Sequence, residues 1–149
     1  YLFDFFSALH RVEPAVRDRR REEAFHRFGI DRFAEVKVAN LSTGMRQKVS
    51  LVVSIVHDPN IIIFDEPTNG LDVLTAKVVT DFLAELKARG RTVIVSTHIF
   101  SLIEKVCDRV GVIIGGQMAQ CGSLTEVCNG KSLEDRFFDL YAERVGDAL

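Results

Sequence analysis

Residues 61–66 read Ile-Ile-Ile-Phe-Asp-Glu, an apolar run closed by two adjacent carboxylates, Asp65 and Glu66, with Pro67 next. Like charges side by side at the end of an apolar strand are costly unless a cation or a proton joins them. A Mg²⁺–nucleotide site accounts for both acids. Asp65 helps to hold the hydrated ion, and Glu66 accepts a proton from an attacking water. An acidic pair at a loop edge facing solvent is the plainer alternative, and the run by itself leaves the two open. Upstream stands Leu41-Ser42-Thr43-Gly44-Met45, directly before a helical pattern. Ser42 fits an N-cap and Gly44 lets a backbone approach a ligand closely. The free N–H groups of such a terminus attract anions, although most N-caps bind nothing. Downstream, Ser96-Thr97-His98 closes another apolar run and puts an imidazole at the predicted sheet edge of Asp65 and Glu66. A histidine there can equally be a hydrogen-bonded structural residue.

Apolar residues recur at i, i+3, i+4 and i+7 in four sets, each predicting an amphipathic helix. These are Leu2, Phe5, Phe6, Leu9; Val49, Val52, Val53, Val56; Val79, Phe82, Leu83, Leu86; and Ile99, Leu102, Ile103, Val106. Short β-branched runs at Ile61–Asp65, Thr92–Ser96 and 110–114 predict strands. The first two are nearly continuous apolar runs, as expected of strands buried on both faces of a parallel sheet. Their alternation with helices predicts an α/β layer with right-handed crossovers. Gly115-Gly116, between 110–114 and 117–121, predicts a tight hairpin. Ser123-x-x-Glu126 and Ser132-x-x-Asp135 predict N-caps. They would open a short helix at 124–127 and a last one carrying Leu133, Phe137, Leu140 and Tyr141. Residues 1–38 read as helix, broken near Glu13-Pro14 and at Gly29, with 17–23 a solvated charged face. The expected organisation is a helical subdomain over 1–57, an α/β core over 58–122 and a helical tail over 123–149.

The composition narrows the classes. With 149 residues, 19 Lys+Arg, 21 Asp+Glu, a net charge of −2 and 47% hydrophobic residues, disorder is excluded. A pI near 6.1 provides no broad basic field, so nucleic acid is not an expected partner. The longest apolar runs, 51–56 and 61–64, fall short of the ~18 residues of a membrane span. Cys107, Cys121 and Cys128 form no C-x-x-C pair. They predict neither a disulfide framework nor a zinc site, but buried or half-buried thiols in a reducing compartment. With no signal-peptide or lipidation pattern, a cytosolic address is the default expectation.

Taken in order, Leu41-Ser42-Thr43-Gly44-Met45, Asp65-Glu66-Pro67-Thr68, Asn69-Gly70-Leu71-Asp72 and His98 resemble the second half of an ATP-binding cassette (ABC) ATPase. The family signature Leu-Ser-Gly-Gly-Gln is altered here at Thr43 and Met45. This form is similar to that of sodium-extrusion and drug-export cassettes. Arg46-Gln47, Asp58-Pro59, Cys107-Asp108-Arg109-Val110 and Gly122-Ser123 match too, so the resemblance covers nearly the whole chain. It implies a partial P-loop NTPase fold, α/β, with a parallel-sheet core and a helical subdomain at the N-terminal end. It also implies ATP and Mg²⁺ as cofactors. Asp65 becomes the Walker B aspartate on Mg²⁺, Glu66 the residue that orients and deprotonates water, and His98 the switch histidine on the γ-phosphate. Asp72 falls in the loop that crosses to a partner cassette. Ser42 and Gly44 would contact the γ-phosphate bound on the other subunit of a head-to-tail dimer.

No G-x-x-x-x-G-K-[ST] phosphate loop occurs in the sequence. Gly130-Lys131-Ser132 has Thr125 where the first glycine belongs and precedes an amphipathic helix, so it reads as a loop plus N-cap. Because the sequence also starts at Tyr1 without Met, the expectation is the C-terminal portion of a cassette, inactive alone, whose parent hydrolyses ATP. The resemblance further implies a membrane permease docked on the helical subdomain, a place at the cytoplasmic face of the membrane, and export. Phe3, Phe5, Phe6, Phe25 and Phe28 offer aromatic surface for that contact where core packing does not use them. A soluble cassette ATPase acting on DNA or ribosomes is the competing function. The front segment carries no sustained heptads, and no second cassette starts after Asp135, which disfavours it. A non-catalytic fragment is the remaining alternative.

Overall fold

Two helices open the chain: α1 (Leu2–Leu9) and α2 (Pro14–Phe28). Proline suits the start of α2 because a first turn leaves its N–H groups unpaired anyway. The computed structural model describes residues 1–146, apart from the side chain of Val145. After two short 3₁₀ turns comes α3 (Thr43–Ser54), capped by Ser42, whose Oγ accepts the Met45 N–H at 3.2 Å. β1 (Ile61–Asp65), α4 (Val73–Ala88) and β2 (Thr92–Ser96) follow. The strands pair in parallel from Ile61↔Thr92 to Asp65↔Ser96, and α4 packs on β2. Val52, Val56, Val79 and Leu83 are among the most buried side chains of this first unit, Tyr1–Ser96. Arg20 donates to the Val56 carbonyl at 2.9 Å and Arg91 pairs with Asp58 at 2.8 Å, which fixes the loop leading into β1.

One expectation is corrected here. β1 is not buried on both faces: Ile62 and Phe64 are buried, whereas Ile61 and Ile63 are 64% and 73% exposed. Ile94 of β2 is exposed as well. Successive side chains of a strand point to opposite faces, so a strand pair covered by helix on one side alternates. Double burial requires a second covering layer, and the first unit supplies only one.

From Thr97 onward the chain forms a second unit. It contains α5 (Phe100–Val106), β3 (Arg109–Ile114), β4 (Gln117–Ser123), α6 (Leu124–Cys128) and α7 (Leu133–Val145). β3 and β4 are antiparallel across Gly115-Gly116, both at positive φ, as a tight hairpin requires. Val110, Val112, Ile114, Val127, Leu133 and Leu140 build its core. Ser123 and Glu126 close a reciprocal capping box on α6, and Ser132 caps α7. The cysteines need a second correction. Cys107 and Cys128 are half-buried, and burial pushes the Cys128 thiol up, but Cys121 is exposed on the outer side of the hairpin. Among the described residues no helix is long and apolar enough to cross a membrane.

Candidate functional site

Parallel register places the last residues of β1 and β2 side by side, so Asp65 meets Ser96 at the C-terminal edge, where open α/β sheets carry their ligands. The Ser96 hydroxyl donates to Asp65 Oδ1, and the Asp65 carboxylate is exposed. Glu66 is half-buried and has φ of 44°, a left-handed conformation that costs a non-glycine residue about 1–2 kcal/mol. Its N–H donates to the Ser96 carbonyl at 2.9 Å. Its own carbonyl accepts the Asn69 N–H at 3.0 Å and Gln47 Nε2 at 3.4 Å.

The turn after Glu66 rests on the start of α3. A Cβ added to Gly44 would stand 3.2 Å from the Gly70 carbonyl oxygen, and one on Gly70 would stand 3.3 Å from Cγ2 of Thr43. Gly44 therefore serves a close approach of backbone to backbone, whatever else it contacts. Ser42 and Thr43 are exposed, Met45 is half-buried, and Leu41 is a core residue at 5% exposure. Asp72 is the N-cap of α4: its Oδ1 accepts the Thr75 N–H at 3.0 Å and its Oδ2 the Thr75 hydroxyl at 2.7 Å. These bonds, led by the hydroxyl, hold the Asp72 carboxyl below the usual aspartate range, with a smaller contribution from Lys48. His98 is exposed in the bend ahead of α5 and belongs to the second unit. The group assembled within the first unit is thus Asp65, Ser96, Glu66 and Gln47.

Three of these contacts escaped the sequence reading. Ser96 could have been found by aligning the ends of two five-residue strands. Gln47 lies three residues after Gly44, on the same face of α3. Thr75 follows Asp72 at the spacing of a cap and its third helical residue. Among the described residues no group of three or more His, Cys, Asp and Glu could hold a metal ion. Asp65 fits Mg²⁺ in the way that ion is ordinarily held, by one or two carboxylates with waters and phosphates around it.

Asp72 leads to a pH prediction. Its folded pKa lies below the unfolded value of about 3.9, so its contribution to stability is present above that value. It is lost as pH falls through the lowered one. Thermal melts at pH 5 and pH 3 should therefore differ less in Asp72→Asn, which keeps a cap acceptor without a titrating group. An equal acid loss in both proteins counts against it.

A parallel strand pair with an acidic pair at its C-terminal edge, and a capped helix beside the following turn, is part of the fold of P-loop nucleoside triphosphatases. The family model described as ABC transporter matches residues 3–69. The chain is 34% identical over 131 residues to the ABC transporter ATP-binding protein NatA of Bacillus subtilis, covering 88% of this chain and 53% of that protein. It is 35% identical over 99 residues to a fluoroquinolones export ATP-binding protein of Mycobacterium tuberculosis, covering 66% and 33%. A solved ATP-binding subunit of an ABC transporter matches with a TM-score of 0.87 at 28% identity, over 93% of this chain and 60% of that one. A dimeric ATP-binding cassette in a post-hydrolysis state with ADP and Pi matches with a TM-score of 0.66 at 26% identity, over 76% and 49%. The chain belongs to the ABC transporter ATP-binding family. It spans about half the length of the curated relatives named here or less.

Proposed function

We propose that the full-length protein is the ATP-hydrolysing subunit of an ABC transporter. The residues described above would supply water activation, part of the Mg²⁺ shell and a signature segment for a partner's nucleotide. The acidic pair at the end of β1, with Asp65 held by Ser96 and Glu66 turned out of the strand line at positive φ, carries this reading. Bound Mg²⁺ neutralises phosphate charge. Asp65, with Ser96 behind it, would hold that ion through water. Glu66 accepts the proton of the attacking water, and half-burial favours that task by limiting competing solvent. His98 is assigned to the γ-phosphate.

Leu41 acts from the core, anchoring the start of α3, while Ser42 and Gly44 face the nucleotide of a second cassette. Met45 and Thr43 complete that surface. Asp72 anchors α4 and thereby fixes the loop expected to cross to the partner. The dimeric form of the solved post-hydrolysis cassette supports such a pairing. For the permease, α1 and α3 line an apolar groove of about 500 Å³, with Leu2, Phe6, Val49 and Val53 in its walls and His10 and His57 at its lining. Of the five front phenylalanines, Phe3 and Phe28 are buried and Phe6 and Phe25 half-buried, which leaves Phe5 as the exposed ring for contact. Docking there would hold the subunit at the cytoplasmic face of the membrane. Export is supported by the relative that carries that word in its name.

Ser42→Arg tests the trans assignment. In the full-length cassette, ATP-dependent dimers should vanish from size-exclusion profiles while helical circular dichroism is kept. Ser42→Ala, which loses the same cap at a cost of about 0.5–2 kcal/mol, should still dimerise. Dimers of the arginine variant that persist with ATP would remove Ser42 from the interface.

A further inference from the structure

We propose that Gln47 is a positioning residue for Glu66, its side-chain amide holding the Glu66 carbonyl and with it the backbone twist that aims the carboxylate. The inference rests on the role of Glu66 given above. Glu66 faces opposed demands. A residue before proline is pushed towards extended conformations, yet Glu66 precedes Pro67 and has φ of 44°. Such a conformation persists only where the surroundings over-determine it.

Three hydrogen bonds do so here: Glu66 N–H to the Ser96 carbonyl, Asn69 N–H to the Glu66 carbonyl, and Gln47 Nε2 to that same carbonyl. The first two join main chain to main chain, and any sequence with this fold can make them. The third depends on one side chain. Facing a carbonyl oxygen, the end of Gln47 must present its NH₂ group, since its own oxygen could only repel. At 3.4 Å the bond is near the long limit, so a small displacement of α3 tightens or breaks it.

That sensitivity matters because of what α3 carries. Its first turn begins at Ser42-Thr43-Gly44, and Gly44 and Thr43 abut Gly70 at the far end of the same turn. α3 thus touches the Glu66–Leu71 segment at both ends. An anion that shifts the start of α3 reaches the Glu66 carbonyl through Gln47 and reaches Gly70 directly. The signature segment and the base of one subunit are thus joined at two points, through Gln47 and through Gly70.

The experiment compares wild type with Gln47→Leu, Gln47→Glu and Gln47→Lys. In the 149-residue chain, exchange of the Glu66 and Asn69 amides should rise about tenfold in the leucine and glutamate variants, the size of one hydrogen bond. It should stay near wild type in the lysine variant, which retains a donor, and the Ile62–Phe64 amides should not change in any. In the full-length cassette, kcat should fall roughly ten- to a hundredfold in the leucine and glutamate variants with KM for ATP unchanged, and lysine should restore most of it. A merely structural role would not separate donor from acceptor in this way. Wild-type exchange and wild-type kcat in Gln47→Leu and Gln47→Glu would overturn the proposal. If exchange responds as expected but Glu66→Gln turns over normally, the base role fails and the Gln47 contact stands.

Discussion

Glu66→Gln in the full-length cassette is expected to keep ATP binding and to cut turnover by about 10²–10⁴-fold, the usual weight of a general base. At ~1.36 kcal/mol per decade, that is roughly 3–5 kcal/mol of barrier. The amide preserves the volume of the side chain and its ability to orient a water, but it cannot take the proton. The backbone hydrogen bonds to Ser96, Asn69 and Gln47 should survive, because they use main-chain atoms of Glu66. The comparison therefore isolates proton transfer. Phosphate release measured beside nucleotide binding decides it, and unchanged turnover takes Glu66 out of the base role.

The second large effect is a complete loss. The 149-residue chain by itself should hydrolyse no ATP, because phosphoryl transfer depends almost wholly on positioning and charge stabilisation of the β/γ-phosphates. The sequence offers no Gly-rich loop for that task. Its Gly-Lys-Ser segment cannot stand in: Lys131 Nζ is paired with Asp139 at 2.6 Å, and Ser132 Oγ accepts the Asp135 N–H at 3.0 Å as the cap of α7. An ATPase assay of the purified chain, with Glu66→Gln as a control for contaminants, is the check. Hydrolysis that disappears in the mutant would show that these residues suffice alone.

The caps, turns and helices were legible because they depend on neighbours in sequence. Ser42, Ser123 and Ser132 each cap the helix that follows, and Gly115-Gly116 closes a hairpin, all from local chemistry. The acidic pair was legible for the same reason, as a contrast between a run of isoleucines and two charges. What depends on distant residues was not. Apolar content alone suggested burial of Ile61 and Ile63, but burial is decided by which layers exist to cover a strand. Ser96 and Gln47 are ordinary polar residues in sequence. They matter through register and through the packing of α3 on a turn nineteen positions away in its contact with Glu66.

The meeting of Gly44, Thr43 and Gly70 has a consequence for building hybrid cassettes. The altered signature touches its own turn: a Cβ on residue 70 would stand 3.3 Å from the Thr43 methyl, tighter than ordinary contact. Exchanging residues 41–45 between family members without also exchanging 66–72 would pair surfaces that were never matched. The unit to transplant is both segments together, chosen from a single donor.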